Sequence, residues 1–266
     1  MFESIILGSV QGIAEWLPIS SEAMIVLVKT NFFPSGMPFS ELISFAIFLH
    51  TGTLLAVIVY YRKKIIALFR QCLHYQSLGQ SEKQYIHFIV VATAVSGILG
   101  FGLLKYVESH GIWFQNTVFI NMLVAVFLVF TSILLYLSEN HNDLLHKPLS
   151  AWRAVATGIF QGFAAIPGIS RSGATVAGMG LVGIDKERAL ELSFLLSIPL
   201  VLFANIVLNV GTFHALTRDH CIALVSAFVF GMVTIDILLR IVRHVRFSYF
   251  VGGFAVLLMI LSFMLV

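Results

Sequence analysis

An apolar segment near the N-terminus contains the run Gln11-Gly12-Ile13-Ala14-Glu15-Trp16-Leu17-Pro18-Ile19-Ser20-Ser21. The whole segment, residues 1–38, is too apolar for a surface loop, yet this run places a proline and two serines at its centre. Because proline removes a backbone donor, we expect a short helix to about Leu17, a break, and a second short helix to about Thr30. Such a segment is expected to enter a membrane and turn back, since each half is too short to cross it.

The rest of the chain is dominated by long apolar runs. Hydrophobic residues make up 59% of the 266 positions and charged residues only 11%, with a mean hydropathy of +0.96, whereas soluble domains average about 45–50% and about 25%. Six runs reach or approach the roughly 20 residues that cross hydrocarbon. They are Phe39 to Tyr61, Ile86 to Leu104, Val118 to Leu137, Ala189 to Val210, Cys221 to Leu239 and Phe247 to Val266. The composition thus predicts an all-α polytopic membrane protein with six full spans.

A second broken segment, residues 148–185, repeats the plan of the first and breaks at Pro167-Gly168-Ile169-Ser170. Five residues of the first segment have counterparts in it, since Gly8, Gln11, Gly12, Pro18 and Ser20 match Gly158, Gln161, Gly162, Pro167 and Ser170. Each copy precedes three spans, an odd number, so the second copy should lie inverted relative to the first. We therefore predict a single membrane domain, 1–266, built as an inverted-topology repeat. Repeat one is 1–138 and repeat two is 139–266, and their re-entrant hairpins, 1–38 and 148–185, meet near the midplane.

Basic residues concentrate in alternate connections between the spans. Five of them lie between residues 62 and 83, after the first span, and others follow the third and fifth spans, while the remaining connections are poorer in Lys and Arg. Basic loops stay on the cytoplasmic side of a membrane. This rule predicts that the first hairpin opens outward and that the second opens inward.

Polar groups with catalytic potential cluster in the first hairpin. Gln11 and Glu15 are four residues apart and so share one helix face. A carboxylate at membrane depth is a functional candidate by default, although pairing with a basic group would also explain it. Ser20 and Ser21 stand at the break, where hydroxyls cap a helix or contact an anion.

The second hairpin contains the run Pro167-Gly168-Ile169-Ser170-Arg171-Ser172-Gly173-Ala174-Thr175. One arginine lies there among three hydroxyls at the start of a half-helix. Arginine binds phosphate through a planar fork, hydroxyls add directional hydrogen bonds, and a helix N-terminus adds positive potential. The run therefore predicts a phosphate site. An Arg171 that only extends to the membrane–water interface would leave the neighbouring hydroxyls and glycines unexplained.

These two runs resemble the paired motifs of the undecaprenyl-diphosphate phosphatase family, also known as the bacitracin-resistance type of membrane phosphatase. The stretches His50-Thr51-Gly52-Thr53-Leu54-Leu55-Ala56 and Glu191 to Pro199 are similar to further family motifs, so the resemblance covers about the whole chain. It implies an enzyme that removes the terminal phosphate of undecaprenyl diphosphate and so recycles the lipid carrier for cell-wall synthesis. A divalent cation, Mg or Ca, is implied, as is a multi-pass protein of the bacterial inner membrane with its site facing outward. The expected partner is the polyprenyl diphosphate lipid, with no nucleic acid, and a homodimer is considered.

Roles follow from the resemblance, position by position. Glu15 would bind the metal or handle protons, Ser21 would contact phosphate or act as nucleophile, and Arg171 would clamp the diphosphate. A further set would complete the substrate pocket, namely Gln11, Ser20, Ser170, Ser172 and Thr175.

Two positions depart from the usual family pattern. The first carboxylate of the paired motif is Gln11 here, and Met24 replaces the histidine that usually follows the two serines. A methionine neither takes up a proton nor binds a hard cation. Glu15, Glu22 and His50 are candidates for the missing role, and we expect Glu15 to carry it with His50 in reserve.

A second interpretation uses the same architecture without hydrolysis. A transporter or flippase for polyprenyl phosphate would also have an inverted repeat and a phosphate-binding arginine. Release of inorganic phosphate by the purified protein distinguishes the two functions.

Overall fold

The computed structural model describes residues 1–33, 39–109, 117–141, 148–166, 168–214, 216–242 and 244–264. Within these ranges the secondary structure is helical, with no strand, and comprises twelve α-helices and two short 3-10 turns. The α-helices are α1 (Phe2–Ala14), α2 (Ser21–Phe32), α3 (Phe39–Tyr60), α4 (Arg62–Leu73), α5 (Gln80–Ser109), α6 (Thr117–His141), α7 (Ala151–Gly162), α8 (Arg171–Leu181), α9 (Lys186–Leu208), α10 (Val210–His214), α11 (Arg218–Ile241) and α12 (Phe247–Met264).

Five of the described helices are long and apolar enough to cross a membrane. They are Glu41–Tyr60, Gln80–Tyr106, Asn121–Asn140, Lys186–Leu208 and Arg218–Ile241. Helices suit this environment because every backbone hydrogen bond is made within the segment. Five predicted spans are thereby confirmed as long apolar helices, and the protein is a multi-pass membrane protein.

The sixth predicted span is less complete. Residues 247–264 form α12, whose apolar stretch Phe247–Ile260 is shorter than the other five, and residues 265–266 lie outside the described part. The 18 residues of α12 correspond to about 27 Å, close to the roughly 30 Å of hydrocarbon.

Both broken segments are pairs of short helices. Helix α1 ends at Ala14, three residues before the expected end, and α2 begins at Ser21. In the second segment α7 ends at Gly162, a short 3-10 turn follows, and α8 begins at Arg171. Pro167, part of the predicted second break, lies outside the described residues, while its neighbour Gly168 adopts a φ of +99°. Helices of 11 to 13 residues span at most about 20 Å, too little to cross a bilayer.

Pairs of glycines let one helix of each broken segment approach a long helix closely. A Cβ on Gly8 would lie 2.2 Å from the carbonyl oxygen of Ala223, and one on Gly12 would lie 2.7 Å from that of Ala227, so α1 packs directly on α11. Gly158 and Gly162 give α7 the same closeness to α5, where a Cβ would lie 2.7 Å from Val95 Cβ and 2.9 Å from Leu99 Cβ. Small residues four apart are typical of such close contacts in membranes.

The main helix contacts join the two halves of the chain. Helix α1 packs on α11 while α7 packs on α5, and α3 packs on α9 while α6 packs on α12. Each of these contacts pairs an element of one half with an element of the other. The breaks of both short-helix pairs are thereby held at the centre of the bundle.

Candidate active site

The two helix breaks border one cavity. Its lining includes residues from both segments and one residue of a long helix, namely Glu15, Ser20, Ser21, Glu22, His50, Ala164, Ile169, Ser170, Arg171 and Ser172. The Ser172 hydroxyl donates to the Leu17 carbonyl oxygen at 2.8 Å and so ties the start of α8 to the first break. Seven of the nine predicted site residues therefore line the same cavity together with Glu22, and the other two, Gln11 and Thr175, do not.

Glu15 is the centre of the site. Its Oε2 accepts from Gln11 Nε2 at 2.9 Å and from the Ser21 hydroxyl at 2.7 Å, and it lies 3.0 Å from His50 Nε2. Its Oε1 forms an ion pair with Arg171 Nη2. The residue is only 5% exposed, and a buried carboxylate is stable only when it is paired and hydrogen-bonded, as it is here.

His50 approaches the site from the first long helix, α3. Its Nδ1 lies 2.7 Å from the Ala46 carbonyl oxygen, and its Nε2 faces Ser21 Oγ at 3.3 Å. A carbonyl oxygen only accepts hydrogen bonds, so Nδ1 carries the proton in the neutral ring. The ring is therefore held with Nε2 directed at the Ser21 hydroxyl and the Glu15 carboxylate.

Arg171 begins α8 and extends its side chain across to the first segment. Besides its ion pair with Glu15, its Nη1 donates to the Ser193 carbonyl oxygen on α9 at 3.3 Å. Ser170 caps the same helix, because its hydroxyl accepts from the Gly173 backbone N–H at 3.2 Å. The guanidinium and the N-terminus of α8 together make this side of the cavity positive.

Two predicted substrate-binding residues do not line the cavity. Thr175 donates to the Arg171 carbonyl oxygen at 2.6 Å and contacts Gln161 Oε1 at 3.4 Å. Gln11 supports Glu15, and its own Oε1 is a buried acceptor without a partner among the described residues. The structure thus places both outside the cavity lining, where Gln11 supports the Glu15 carboxylate and Thr175 bonds the backbone of its own helix.

Ser20 holds the first break in a strained conformation. Its φ of 61° lies in the left-handed region, and it is the non-glycine residue with positive φ in the part of the chain that the structure describes. Residues in this region cost of order 1–3 kcal/mol and concentrate at functional sites. The strained residue directly precedes Ser21, whose side chain it directs toward Glu15.

Glu22 lines the cavity but forms no hydrogen bond or ion pair with any described residue. Met24, one turn later on α2, packs against the hydrophobic core instead. An acidic residue in a first helical turn also suits the helix dipole, so the sequence alone does not single out Glu22. Its place in the cavity depends on how the two helix breaks come together, which no local pattern reveals.

The acidic groups of the site fit a cation only in part. No group of three His, Cys, Asp or Glu suited to a metal occurs among the residues that the structure describes. Both oxygens of Glu15 already contact other side chains of the site. Mg²⁺, however, is commonly held by one or two carboxylates together with substrate phosphates and water. Glu22 satisfies this requirement without breaking any contact.

Comparison with known proteins places the chain clearly. Residues 4–260 match the family of bacitracin resistance protein BacA. An undecaprenyl-diphosphatase of Methanococcoides burtonii is 40% identical over 265 residues, which covers 98% of each chain. A second, from Treponema denticola, is 36% identical over 94% of this chain and 92% of its own, and a third, from Methanosphaera stadtmanae, is 33% identical over 100% and 99%. The chain belongs to the family of bacitracin resistance protein BacA.

Proposed function

We propose that this protein hydrolyses undecaprenyl diphosphate to undecaprenyl phosphate and inorganic phosphate at the cavity between the two helix breaks. The observation that carries the proposal is the convergence of Ser21, from one break, and Arg171, from the other, on the Glu15 carboxylate. The relatives quoted above are named for this activity, and nothing in the comparisons favours translocation as the alternative.

Arg171 and the start of α8 bind the diphosphate. The guanidinium supplies a planar fork and the helix N-terminus supplies backbone donors, both suited to phosphate oxygens. Ser170 Oγ and Ser172 Oγ lie 3.3 Å apart at the same end of the helix. Because the Ser172 proton is donated to the Leu17 carbonyl oxygen, Ser170 is the hydroxyl that can donate to a phosphate oxygen. Binding is therefore strongest for a group that carries two adjacent phosphates, since one phosphate would reach only part of this surface.

Ser21 is the nucleophile. Its oxygen attacks the terminal phosphorus, and the bond from that phosphorus to the bridging oxygen breaks, so undecaprenyl phosphate leaves and a phosphoserine forms. Water then attacks the phosphoserine and releases inorganic phosphate, which restores the Ser21 hydroxyl. Charge that develops on the phosphoryl oxygens is stabilised by Arg171, because phosphoryl transfer depends mainly on positioning and charge neutralisation.

A divalent cation, Mg or Ca, completes the site. Glu22 would hold it together with the phosphate oxygens of the substrate. When bound, the cation supplies positive charge that neutralises the diphosphate. Glu15 keeps its contacts with Ser21 and Arg171 in this arrangement, so its predicted role as a metal ligand passes to Glu22.

The short-helix pairs α1–α2 and α7–α8 are re-entrant hairpins of an inverted repeat. Support comes from the reciprocal contacts of α1 with α11 and α7 with α5, and from helices too short to cross. The distribution of basic residues supports a cytoplasmic loop after α3 and a cavity that opens toward the outer side of the inner membrane. A homodimer stays a prediction.

The test is release of phosphate from a defined substrate. Purified protein in detergent is mixed with undecaprenyl diphosphate and Mg²⁺, and inorganic phosphate and lipid product are quantified. We expect one phosphate and one undecaprenyl phosphate per substrate consumed. A folded preparation that releases no phosphate under these conditions contradicts the proposal.

A further inference from the structure

The Ser21 hydroxyl has two neighbours that can accept its proton. Glu15 Oε2 lies 2.7 Å from Ser21 Oγ, and His50 Nε2 lies 3.3 Å from it. The nucleophile must lose this proton as its bond to phosphorus forms. The chemistry therefore depends on which of the two groups accepts it.

Protonation of Glu15 removes favourable interactions. The carboxylate forms an ion pair with Arg171 and accepts a hydrogen bond from Gln11 on the oxygen that faces Ser21. A neutral carboxyl loses its ion pair with Arg171. Removing one charge from a buried ion pair is strongly unfavourable.

Protonation of His50 has the opposite effect. The proton would be added to Nε2, which lies 3.0 Å from Glu15 Oε2, so the new imidazolium immediately gains an ion pair. The Nδ1 proton stays in its hydrogen bond to the Ala46 carbonyl oxygen throughout, which keeps the ring in place.

We infer that His50 is the catalytic base that takes the Ser21 proton, and that Glu15 orients the hydroxyl and stabilises the imidazolium. The inference rests on the proposed function and deepens it. The Ser21 proton moves to His50 Nε2 as the bond from Ser21 Oγ to phosphorus forms and undecaprenyl phosphate leaves. In the second step water attacks the phosphoserine, His50 returns its proton to Ser21 Oγ, and the proton lost by water departs with inorganic phosphate.

His50 thereby supplies, from α3, the group that the family usually places on α2. Met24 belongs to the hydrophobic packing of α2 and has no polar group to offer.

The position of His50 depends on contacts between α3 and α9. Asn205 donates to the Ile47 carbonyl oxygen at 3.1 Å, one residue beyond the carbonyl that holds the His50 ring. Asn209 donates to Asn205 Oδ1 at 3.2 Å and accepts from Ser44 at 2.8 Å. This buried polar chain fixes the register of α3 on α9, and with it the direction of Nε2.

The experiment compares His50→Ala and the near-isosteric His50→Gln in the purified protein. We expect kcat for phosphate release to fall about 100-fold or more with a much smaller change in KM, since a general base acts only in the transition state. Added imidazole should restore a saturable part of kcat to His50→Ala. It should restore nothing to Ser21→Ala, the matched control that lacks the nucleophile.

A structural role for His50 would not produce this pattern. Failure of imidazole to raise the rate of folded His50→Ala, or a kcat within threefold of the wild type in His50→Gln, overturns the inference. A thermal unfolding curve for each variant shows that it is folded. If the wild type itself releases no phosphate, the proposed function fails. If the wild type is active and His50→Gln is equally active, only the inference about His50 fails.

Discussion

The first hairpin, α1 and α2, brings acidic and nucleophilic groups to the cavity, whereas the second, α7 and α8, brings a cation and helix-terminal N–H groups. Both are pairs of short helices, and both pack through a glycine pair on a long helix of the other half. Yet Glu15, Ser21 and Glu22 come from one and Arg171 from the other. The two hairpins pack in the same way but carry different catalytic groups, so neither hairpin contains a complete site.

The largest effect is expected at Ser21, and Ser172, a hydroxyl of the second hairpin that lines the same cavity, is the comparison. Ser21→Ala should lower kcat by about 1,000-fold or more, because the nucleophile is removed. Ser172→Ala loses one hydrogen bond, to the Leu17 carbonyl oxygen, and should lose only about tenfold. Phosphate release measures both. Equal losses in the two variants would show that the division of labour between the hairpins is wrong.

The role of Arg171, the positively charged residue of the second hairpin, is tested by Arg171→Lys. Charge is retained but the bidentate fork is lost, so we expect phosphate release to fall about 100-fold. Arg240→Lys is the matched control, since Arg240 forms an exposed pair with Asp236 at 2.8 Å, far along the chain from the cavity residues. Near-normal turnover in Arg171→Lys would mean that the guanidinium does not clamp the diphosphate.

Glu22 gives a smaller effect with a different signature. Glu22→Gln should raise the Mg²⁺ concentration for half-maximal activity about tenfold and leave kcat at saturating Mg²⁺ largely unchanged, because one of few ligands loses its charge. Binding of Mn²⁺ with a non-hydrolysable diphosphate analogue, followed by electron paramagnetic resonance, gives a readout independent of turnover. Glu41→Gln, at an exposed site, is the control. Unchanged Mn²⁺ binding in Glu22→Gln would show that Glu22 does not hold the divalent cation.

The smallest effect is expected for the glycine pairs through which both hairpins pack on long helices. Gly12→Ala and Gly158→Ala should each destabilise the protein by about 1–3 kcal/mol, because the added Cβ meets backbone or side-chain atoms at 2.7 Å. Gly97→Ala, where a Cβ has nothing within 4 Å, should have no such cost. Thermal unfolding in detergent compares the three. A clear loss of stability in Gly12→Ala with no loss in Gly158→Ala would show that the two hairpins do not pack equivalently.

Much of the fold could be predicted because apolar length alone determines a membrane helix. Five spans follow from runs of about 20 apolar residues, and the breaks follow from proline, glycine and serine within apolar segments. The end of α1 at Ala14 was missed, since the residues from Glu15 to Leu17 carry no local signal that stops a helix. The glycine pairs were noticed only as repeat markers, although their spacing of four is also typical of close helix contacts.

The candidate site could be predicted only where a motif is contiguous in sequence. Glu15, Ser21 and Arg171 were selected from two short runs, and the structure brings them into one cavity. His50 lies in the middle of a long apolar helix, where a buried histidine has many ordinary explanations, so its contact with Ser21 depends on how α3 packs. Glu22 was not singled out because an acid in a first helical turn also suits the helix dipole. Thr175 and Gln11 do not line the cavity, and sequence spacing does not distinguish a cavity wall from the layer behind it.

The claim that the two hairpins form one site is tested most directly by a double-mutant cycle on their connecting pair, Glu15 and Arg171. The cycle measures kcat/KM for phosphate release in Glu15→Gln, Arg171→Lys and the double variant. Residues that act as a unit are strongly non-additive. We therefore predict that the double variant is about as active as the worse single variant. Losses that multiply, as for two independent sites, would contradict the account.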